Sequence, residues 1–257
     1  LVGSEMCIRD RTEENIMRKL GHTITTSGEH KINIAATKPA AAWIDEGGAL
    51  SFGDATFAQI NLDAHKLHVA VKVTEELLYD NAFGLESYII EQFSKALSNA
   101  EEDAFLNGDG VGKPLGIFAD KCGGEVAVTA ASATAITADE IINLVYSLKR
   151  PYRKNAKFII NDQTIAALRK LKDNNGAYLW QPSLQTGEAD RLFGYEVYTS
   201  PYVPTIAAGK PVIAFGDFSY YNIGDRGTRS FAELKELYAG NGMVGFVAKE
   251  RVDGKLI

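Results

Sequence analysis

Between Leu85 and Leu106 apolar residues recur at the spacing of an α-helix: Leu85, Ile89, Phe93, Ala96, Leu97, Ala100 and Ala104 follow i, i+3 and i+4 steps. Glu86, Glu91, Lys95, Glu101 and Glu102 fall mostly on the other side, which assigns them to solvent. At the rise of an α-helix this segment is about 30 Å long, the length of a small domain. Its stripe needs a partner layer, and the strands of the C-terminal tail are expected to lie beside it.

Upstream the pattern is that of extended chain. Leu67, Val69, Val71 and Val73 alternate strictly, and Ile60, Leu62 and Ala64 continue the alternation upstream, the mark of strands with one buried face. "HKINIA" and "AAWIDE" on one side and "ATFAQINLDAHKLHVAVKV", 55–73, on the other read as the arms of a long hairpin whose tip, Glu46–Asp54, contains three glycines. A two-stranded ribbon with Asn33, Thr37, Gln59 and Asn61 along it is marginal alone in water, so it is expected to find its stability against something else, such as another copy of the chain. "TEELLYD" predicts a short helix capped by Thr74, with Glu75 and Glu76 at its positive end.

Beyond the long helix the style changes. From about Cys122 to Tyr221 the pattern predicts strand, helix, strand, helix, strand, strand, a compact α/β unit inserted before the C-terminal strands. Its first helix, Thr137–Lys149, opens with a Thr137/Glu140 capping box. Its second, beginning at Asp162, is expected to run to the Asn174-Asn175-Gly176 stop. "AKFIIN", "GYEVYTS" and "KPVIAFGDFS" supply strands, with Pro201 and Pro204 in the irregular link between the last two. The tail alternates about an Asn241-Gly242 hairpin signal. The fold class is α+β.

Composition narrows the function. A net charge of -6 argues against a broad electrostatic grip on nucleic acid. Cys7 and Cys122 cannot form a disulfide framework, and neither has zinc-ligand spacing, which fits a reducing compartment. No run of about 18 apolar residues is present to span a bilayer. The opening "LVGSEMCIRDR", Leu1–Arg11, has no clear period and reads as a non-native extension.

The segment "FLNGDGVGKPLGI" invites a phosphate-loop reading over Gly108–Lys113. A Walker loop needs a first glycine where Asn107 stands and a hydroxyl where Pro114 stands, and it follows a strand, whereas this segment follows a helix. The glycines are better explained mechanically. Asn107 and Gly108 end the helix, Asp109 is a turn residue, and Gly110 and Gly112 let the chain reverse before Pro114. That leaves Lys113 a bystander.

Other candidates are equally thin. His65 and His68 fall on opposite faces of a strand, which no shared metal site wants. Cys122 has no visible catalytic partner, and "GDGVG" lacks the alternating carboxylates of a calcium loop. Tyr220, Tyr221, Asp225 and Arg226 could stack on a base, although aromatic pairs beside a turn more often pack. Nucleophile, base and oxyanion donor are nowhere combined.

Six segments, taken in order, resemble the Hong Kong 97-type major capsid proteins of tailed bacteriophages: "AAWIDEGG", "FAQINLDAHKLHVAVKVTEELLYD", "EEDAFLNGDGVGKPLGIF", "AALRKLKDNNGAYLW", "FGDFSYYNIGDRG" and "VGFVAKERVDGKLI". The resemblance covers nearly everything from Thr12 onward. It implies an N-terminal arm at 12–29, an extended E-loop at 30–60, a peripheral domain with a spine helix at 61–118, an α/β axial domain at 119–222, and return strands of the peripheral domain at 223–257. The segment 107–114, with Asn107, Gly108, Asp109, Gly110, Gly112 and Pro114, would then be the joint between spine helix and axial domain.

The implied function is architectural, without catalysis or cofactor. Hexamers and pentamers would close an icosahedral shell around double-stranded DNA that is held without sequence-specific binding. Scaffold, maturation protease and portal proteins would be partners, no membrane would be involved, and the shell would be made in the cytoplasm of a bacterial host. An encapsulin-like cellular compartment shell is the close alternative. Some members of the family weld their shells through an E-loop lysine. Here the tip is Glu46, Gly47, Gly48, Ala49, Leu50 and Ser51, with no lysine between Lys38 and Lys66, so cohesion is expected to be non-covalent. The scaffolding segment that many members carry is expected to be missing or to lie ahead of this chain, which is also expected to stop slightly short at Ile257.

Overall fold

The computed structural model describes residues 15–28, 30–35, 41, 43, 57–79, 84–172 and 191–257. The extension at Leu1–Arg11 and the tip Glu46–Ser51 lie outside the described residues. No helix among those described is long and apolar enough to cross a membrane.

A short helix α1 (Ile16–Leu20) leads into strand β1 (His22–Thr26). Strands β2 (His30–Ala35) and β3 (Phe57–Leu62) pair antiparallel, with His30 opposite Leu62 and Ala35 opposite Phe57, as the hairpin reading requires. The alternation from Ile60 to Val73 does not form one strand. It breaks at Asp63 and Ala64 and resumes as β4 (His65–Thr74), which belongs to a different sheet. The cause is a buried carboxylate: Asp253 Oδ2 accepts the Asp63 N–H at 2.8 Å and draws the backbone out of line.

Helix α2 (Glu75–Tyr79) follows, with Thr74 Oγ1 accepting the Leu77 N–H. The long helix α3 (Leu85–Asn107) comes next. Its Ile89, Phe93 and Leu97 pack on Val73 of β4 and on Val244, Phe246 and Ala248 of β11 (Met243–Leu256), which puts the tail beside the helix as expected. Strand β11 organises the larger sheet. Residues 245–249 pair with both β4 and β10 (Ser230–Leu234), so these two strands flank it on opposite edges. Residues 252–256 pair with β9 (Tyr221–Arg226), and β1 adds to β9 in parallel.

Between α3 and β9 lies the α/β unit. Helix α4 (Ala138–Ser147) carries the complete capping box: Thr137 Oγ1 accepts from Glu140 N–H, and the Glu140 carboxylate accepts from Thr137 N–H at 2.8 Å. After it come α5 (Arg150–Arg153), β5 (Lys157–Ile160), α6 (Asp162–Arg169), β6 (Arg191–Leu192), β7 (Tyr195–Thr199) and β8 (Ile213–Gly216). The four strands form one sheet in the order β6-β7-β5-β8. Two expectations need correction. Residues 123–136 contain no strand ahead of α4, and α6 stops at Arg169, before the Asn-Asn-Gly run, which lies outside the described residues.

Strand β5 joins the two halves of the molecule, because successive side chains on a strand point to opposite faces. Phe158 and Ile160 enter a core with Ile141 and Val145 of α4 and Ile165 and Leu168 of α6. Ile159 enters another core, with Phe105 and Leu106 of α3, Val203, Tyr221 and Ile223.

Candidate functional site

The end of α3 is built by its own backbone. The Gly108 N–H caps Ala104 O at 2.9 Å, and a side chain at Gly108 would collide with the carbonyl oxygens of Pro114 and Ala104. Gly110 and Gly112 adopt φ of +78° and +70°, the left-handed region that favours glycine. The chain then folds back along the helix end: Gly116, Ile117 and Phe118 N–H groups donate to Gly108, Phe105 and Leu106 carbonyls, and Leu115 N–H donates to Gly254 O. Asn107 Nδ2 donates to Asp103 Oδ1 and, at 2.8 Å, to Tyr202 O beyond β7. Pro114 is buried. Asp109 Oδ1 accepts from Val111 N–H and lies 3.7 Å from Lys113 Nζ, and both interactions hold its carboxyl below the usual range. The amides on either side of the loop, at Gly108 and at Leu115–Phe118, are thus committed to carbonyls, Val111 N–H is committed to the Asp109 carboxylate, and Lys113 is paired with Asp109.

The densest polar constellation lies about two turns upstream, at Glu101. Arg18 of α1 grips two carboxylates at once. Its Nε and Nη2 donate to Glu101 at 2.7 and 2.6 Å, and its Nη1 and Nη2 donate to Asp225 of β9, each at 2.8 Å. Such two-pronged charge-assisted bonds fix geometry as well as energy. Arg229 approaches Glu101 at 3.4 Å from another side, and its Nε lies 2.5 Å from Glu250 Oε2 on β11. Asn15 Nδ2 adds a bond to Glu101 at 3.3 Å. The Glu101 side chain is wholly buried.

Electrostatics divides the roles within this clamp. Burial alone would lower Arg18, but its bonds to Glu101 and Asp225 outweigh that effect and hold the guanidinium more firmly charged than usual. Burial first, and then the neighbouring charge and hydrogen bond of Glu101, push Glu250 up to about 7 against the opposing pull of Arg229. Glu250 therefore retains a proton through the mildly acidic range.

Two more buried carboxylates tie distant segments. Ser200 Oγ donates to Glu102 Oε1 at 2.7 Å, and burial pushes Glu102 upward against that bond. At the base of the β2–β3 ribbon, Asp253 holds Asp63 N–H, with His65 Nε2 at 3.6 Å and Lys255 Nζ at 3.7 Å, while Lys255 Nζ also donates to Asn61 O. Burial raises Asp253 despite these partners.

Glu101 and Glu102, assigned to solvent by residue type, are thus 1% and 5% exposed. The signal was present, since Ile89, Phe93, Leu97, Glu101 and Phe105 recur every fourth residue and share one stripe. The sequence candidates scatter. Tyr221 is buried and donates to Leu115 O at 2.8 Å, whereas Tyr220 stays exposed. Asp225 joins the clamp, and Arg226 Nη2 donates to Gly28 O. Cys122 is exposed, and no group of three His, Cys, Asp or Glu that could hold a metal occurs among the described residues.

The Phage capsid family matches residues 4–257, and the chain belongs to that family. Its architecture is the Hong Kong 97-type capsid fold. The solved capsid of a native GTA particle superposes with a TM-score of 0.84 at 30% identity, covering 94% of this chain and 86% of that one. The major capsid protein of Escherichia phage T5 is 27% identical over 226 residues, covering 79% of this chain and 48% of the relative. For the major capsid protein of Enterobacteria phage HK97 the values are 23% over 215 residues, 83% and 50%. The chain spans about half the length of the curated relatives it matches.

Proposed function

We propose that this chain is a major capsid protein whose copies assemble, as hexamers and pentamers, into an icosahedral shell around the double-stranded DNA of a tailed phage or prophage. The observation that carries the reading is the likeness at 30% identity to the GTA capsid, which runs over 94% of the chain. The subunit works by shape and has no catalytic part. Residues 12–29 act as an arm, 30–60 as the E-loop, 61–118 and 223–257 as the peripheral domain, and 119–222 as the axial domain. The segment 107–114 is the joint between them, which fits the bond from Asn107 to Tyr202 O across it. Supporting the E-loop reading, β2 and β3 pair only with each other among the described residues, and such a ribbon gains stability from a neighbouring copy. Scaffold, protease and portal proteins are its partners in assembly, the host cytoplasm is where it is made, and the virion is its destination.

Negative-stain microscopy of the purified chain tests the assignment: closed shells or rings of five and six are expected, and a stable monomer without particles would overturn it. DNA inside the particles, as opposed to a cargo protein, separates a virus shell from a cellular compartment. Boiling particles in detergent is expected to release monomer-sized bands, whereas a ladder of multimers would refute non-covalent cohesion.

A further inference from the structure

The charge of this acidic chain is unevenly spread. Lys149, Arg150, Arg153, Lys154 and Lys157 place five cations and no carboxylate within nine residues. Taking these five from the 27 cationic side chains leaves 22 against 33 carboxylates, a balance of -11 for the remainder. The structure gathers the cations around α5 at the edge of the α/β unit. An open groove of about 680 Å³ there is lined by Arg150, Pro151, Arg153, Lys154 and Tyr195, three cations with no carboxylate. An adjoining groove shares Lys154 and Tyr195 but also contains Glu196 and Asp217, and Lys157 Nζ lies 3.3 Å from Glu196. The adjoining groove carries counter-charges and the first does not.

Arg153 is held in place, with Nε donating to Leu148 O at 2.7 Å and the guanidinium 5.0 Å from the Tyr146 ring centre. Lys149, Arg150 and Lys154 are exposed, and among the described residues no carboxylate pairs with them. Aromatic rings border the same edge: Tyr152 meets the half-exposed Tyr220 edge-on at 5.6 Å. Like charges gathered without counter-charges raise the local potential and concentrate anions from solution.

We propose that this groove binds the sugar-phosphate backbone of duplex DNA without reading its bases. The cores of protein–protein interfaces are depleted of Lys and charge, whereas nucleic-acid interfaces are rich in cations, so a polyphosphate fits this lining better than an acidic neighbouring subunit. The choice of duplex DNA as occupant rests on the shell reading, while the excess of positive charge does not. The low overall charge of the chain is no obstacle, because counterion release depends on the few phosphates contacted locally.

The test is fluorescence anisotropy of a short, labelled, random-sequence duplex titrated with the full chain at several salt concentrations. Three or four contacts predict a slope of log affinity against log salt of roughly -3. The variant Arg150→Glu/Lys154→Glu is expected to bind about tenfold or more weakly at low salt, with a flatter slope. Lys113→Glu, at an exposed cation elsewhere, is expected to leave both unchanged. The melting temperature of each variant separates lost binding from lost folding, and if the double variant unfolds, Lys154→Gln alone serves. Absence of salt-dependent binding in the unmodified chain would overturn the proposal. So would equal binding by a folded variant, or tighter binding of anionic lipid vesicles or polyglutamate than of DNA. Particle formation is scored separately by microscopy: shells without DNA affinity sink the groove and spare the shell, and DNA affinity without shells does the reverse.

Discussion

Phe158 and Glu101 are both buried, at 0% and 1% exposure, but they are held by opposite means. Around Phe158 the partners are apolar: Ile141, Val145, Leu168 and the ring of Phe215, 4.5 Å away between centroids. Most of them come from neighbouring stretches of chain, and the attraction is non-directional. Glu101 is held by Arg18, 83 residues earlier, and by Arg229, 128 residues later, in bonds that require alignment. The apolar core tolerates small shifts of its elements. The clamp exists only when α1, α3, β9 and β11 are all in register. A buried ion pair adds little net stability over a hydrophobic substitute, so its effect here is to make one arrangement of those segments the right one.

Truncating the apolar centre is the harsher test of this contrast. Phe158→Ala is expected to cost about 3–5 kcal/mol, the transfer loss plus the cavity, measured by denaturant unfolding. A cost below about 1 kcal/mol would mean that this sheet is not a close-packed core. Glu101→Ala is expected to cost roughly 3 kcal/mol, because it leaves Arg18 and Arg229 without their shared counter-charge, and the partial exposure of both arginines keeps it from being larger. The pair Arg18→Met/Glu101→Leu sharpens the comparison, since removing both charges is expected to restore part of that loss, while Asp225 without Arg18 and Arg229 without Glu101 keep the recovery incomplete. If the double variant is as unstable as Glu101→Ala, the clamp contributes packing and not charge pairing.

The same contrast explains what could be read from the chain. The spacing that buries Ile89, Phe93 and Leu97 of α3, the alternation in β4 and the Thr137/Glu140 box depend on neighbours within a few residues and are written locally. So is the helix stop at Gly108, whose glycines answer to backbone geometry. Two local readings need correction: Ala96 and Ala100, placed on the same stripe, are exposed, and Asn241-Gly242 lies in the longer connection 235–242 between β10 and β11 and forms no two-residue hairpin turn. Glu101 needed a different inference. Its four-residue spacing from Leu97 and Phe105 put it on the buried stripe, but its partner Arg18 is a tertiary neighbour that no local pattern points to. Asp253 was hidden in the same way, because the break it causes at Asp63 depends on β11 arriving from 190 residues away. The local charge excess at Lys149–Lys157 was visible as letters, while its separation from carboxylates was visible only in the fold.

The smallest effect at neutral pH concerns Glu250, the member of the clamp closest to neutral. Its carboxyl is pushed from an ordinary value of 4.5 up to about 7, so between these values the folded chain keeps a proton that the unfolded chain gives up. Its contribution is full below about pH 4.5 and is lost as pH rises through 7. Stability is therefore expected to fall from pH 6 to pH 8. Burial also raises Glu102 and Asp253, which tilts the curve the same way, while the lowered carboxyls of Asp109, Glu140 and Glu196 act only in more acidic solution. Glu250→Gln, which mimics the protonated form, is expected to match the unmodified chain below about pH 4.5 and to exceed it increasingly as pH rises through 7, gaining a further amount on the order of 1 kcal/mol between pH 6 and pH 8, with a shallower slope over that range. The melting temperature across that range decides the matter: an unchanged slope would place the excess proton on another group, and a steeper one would mean that the charged form of Glu250, held by Arg229, is the one the clamp prefers.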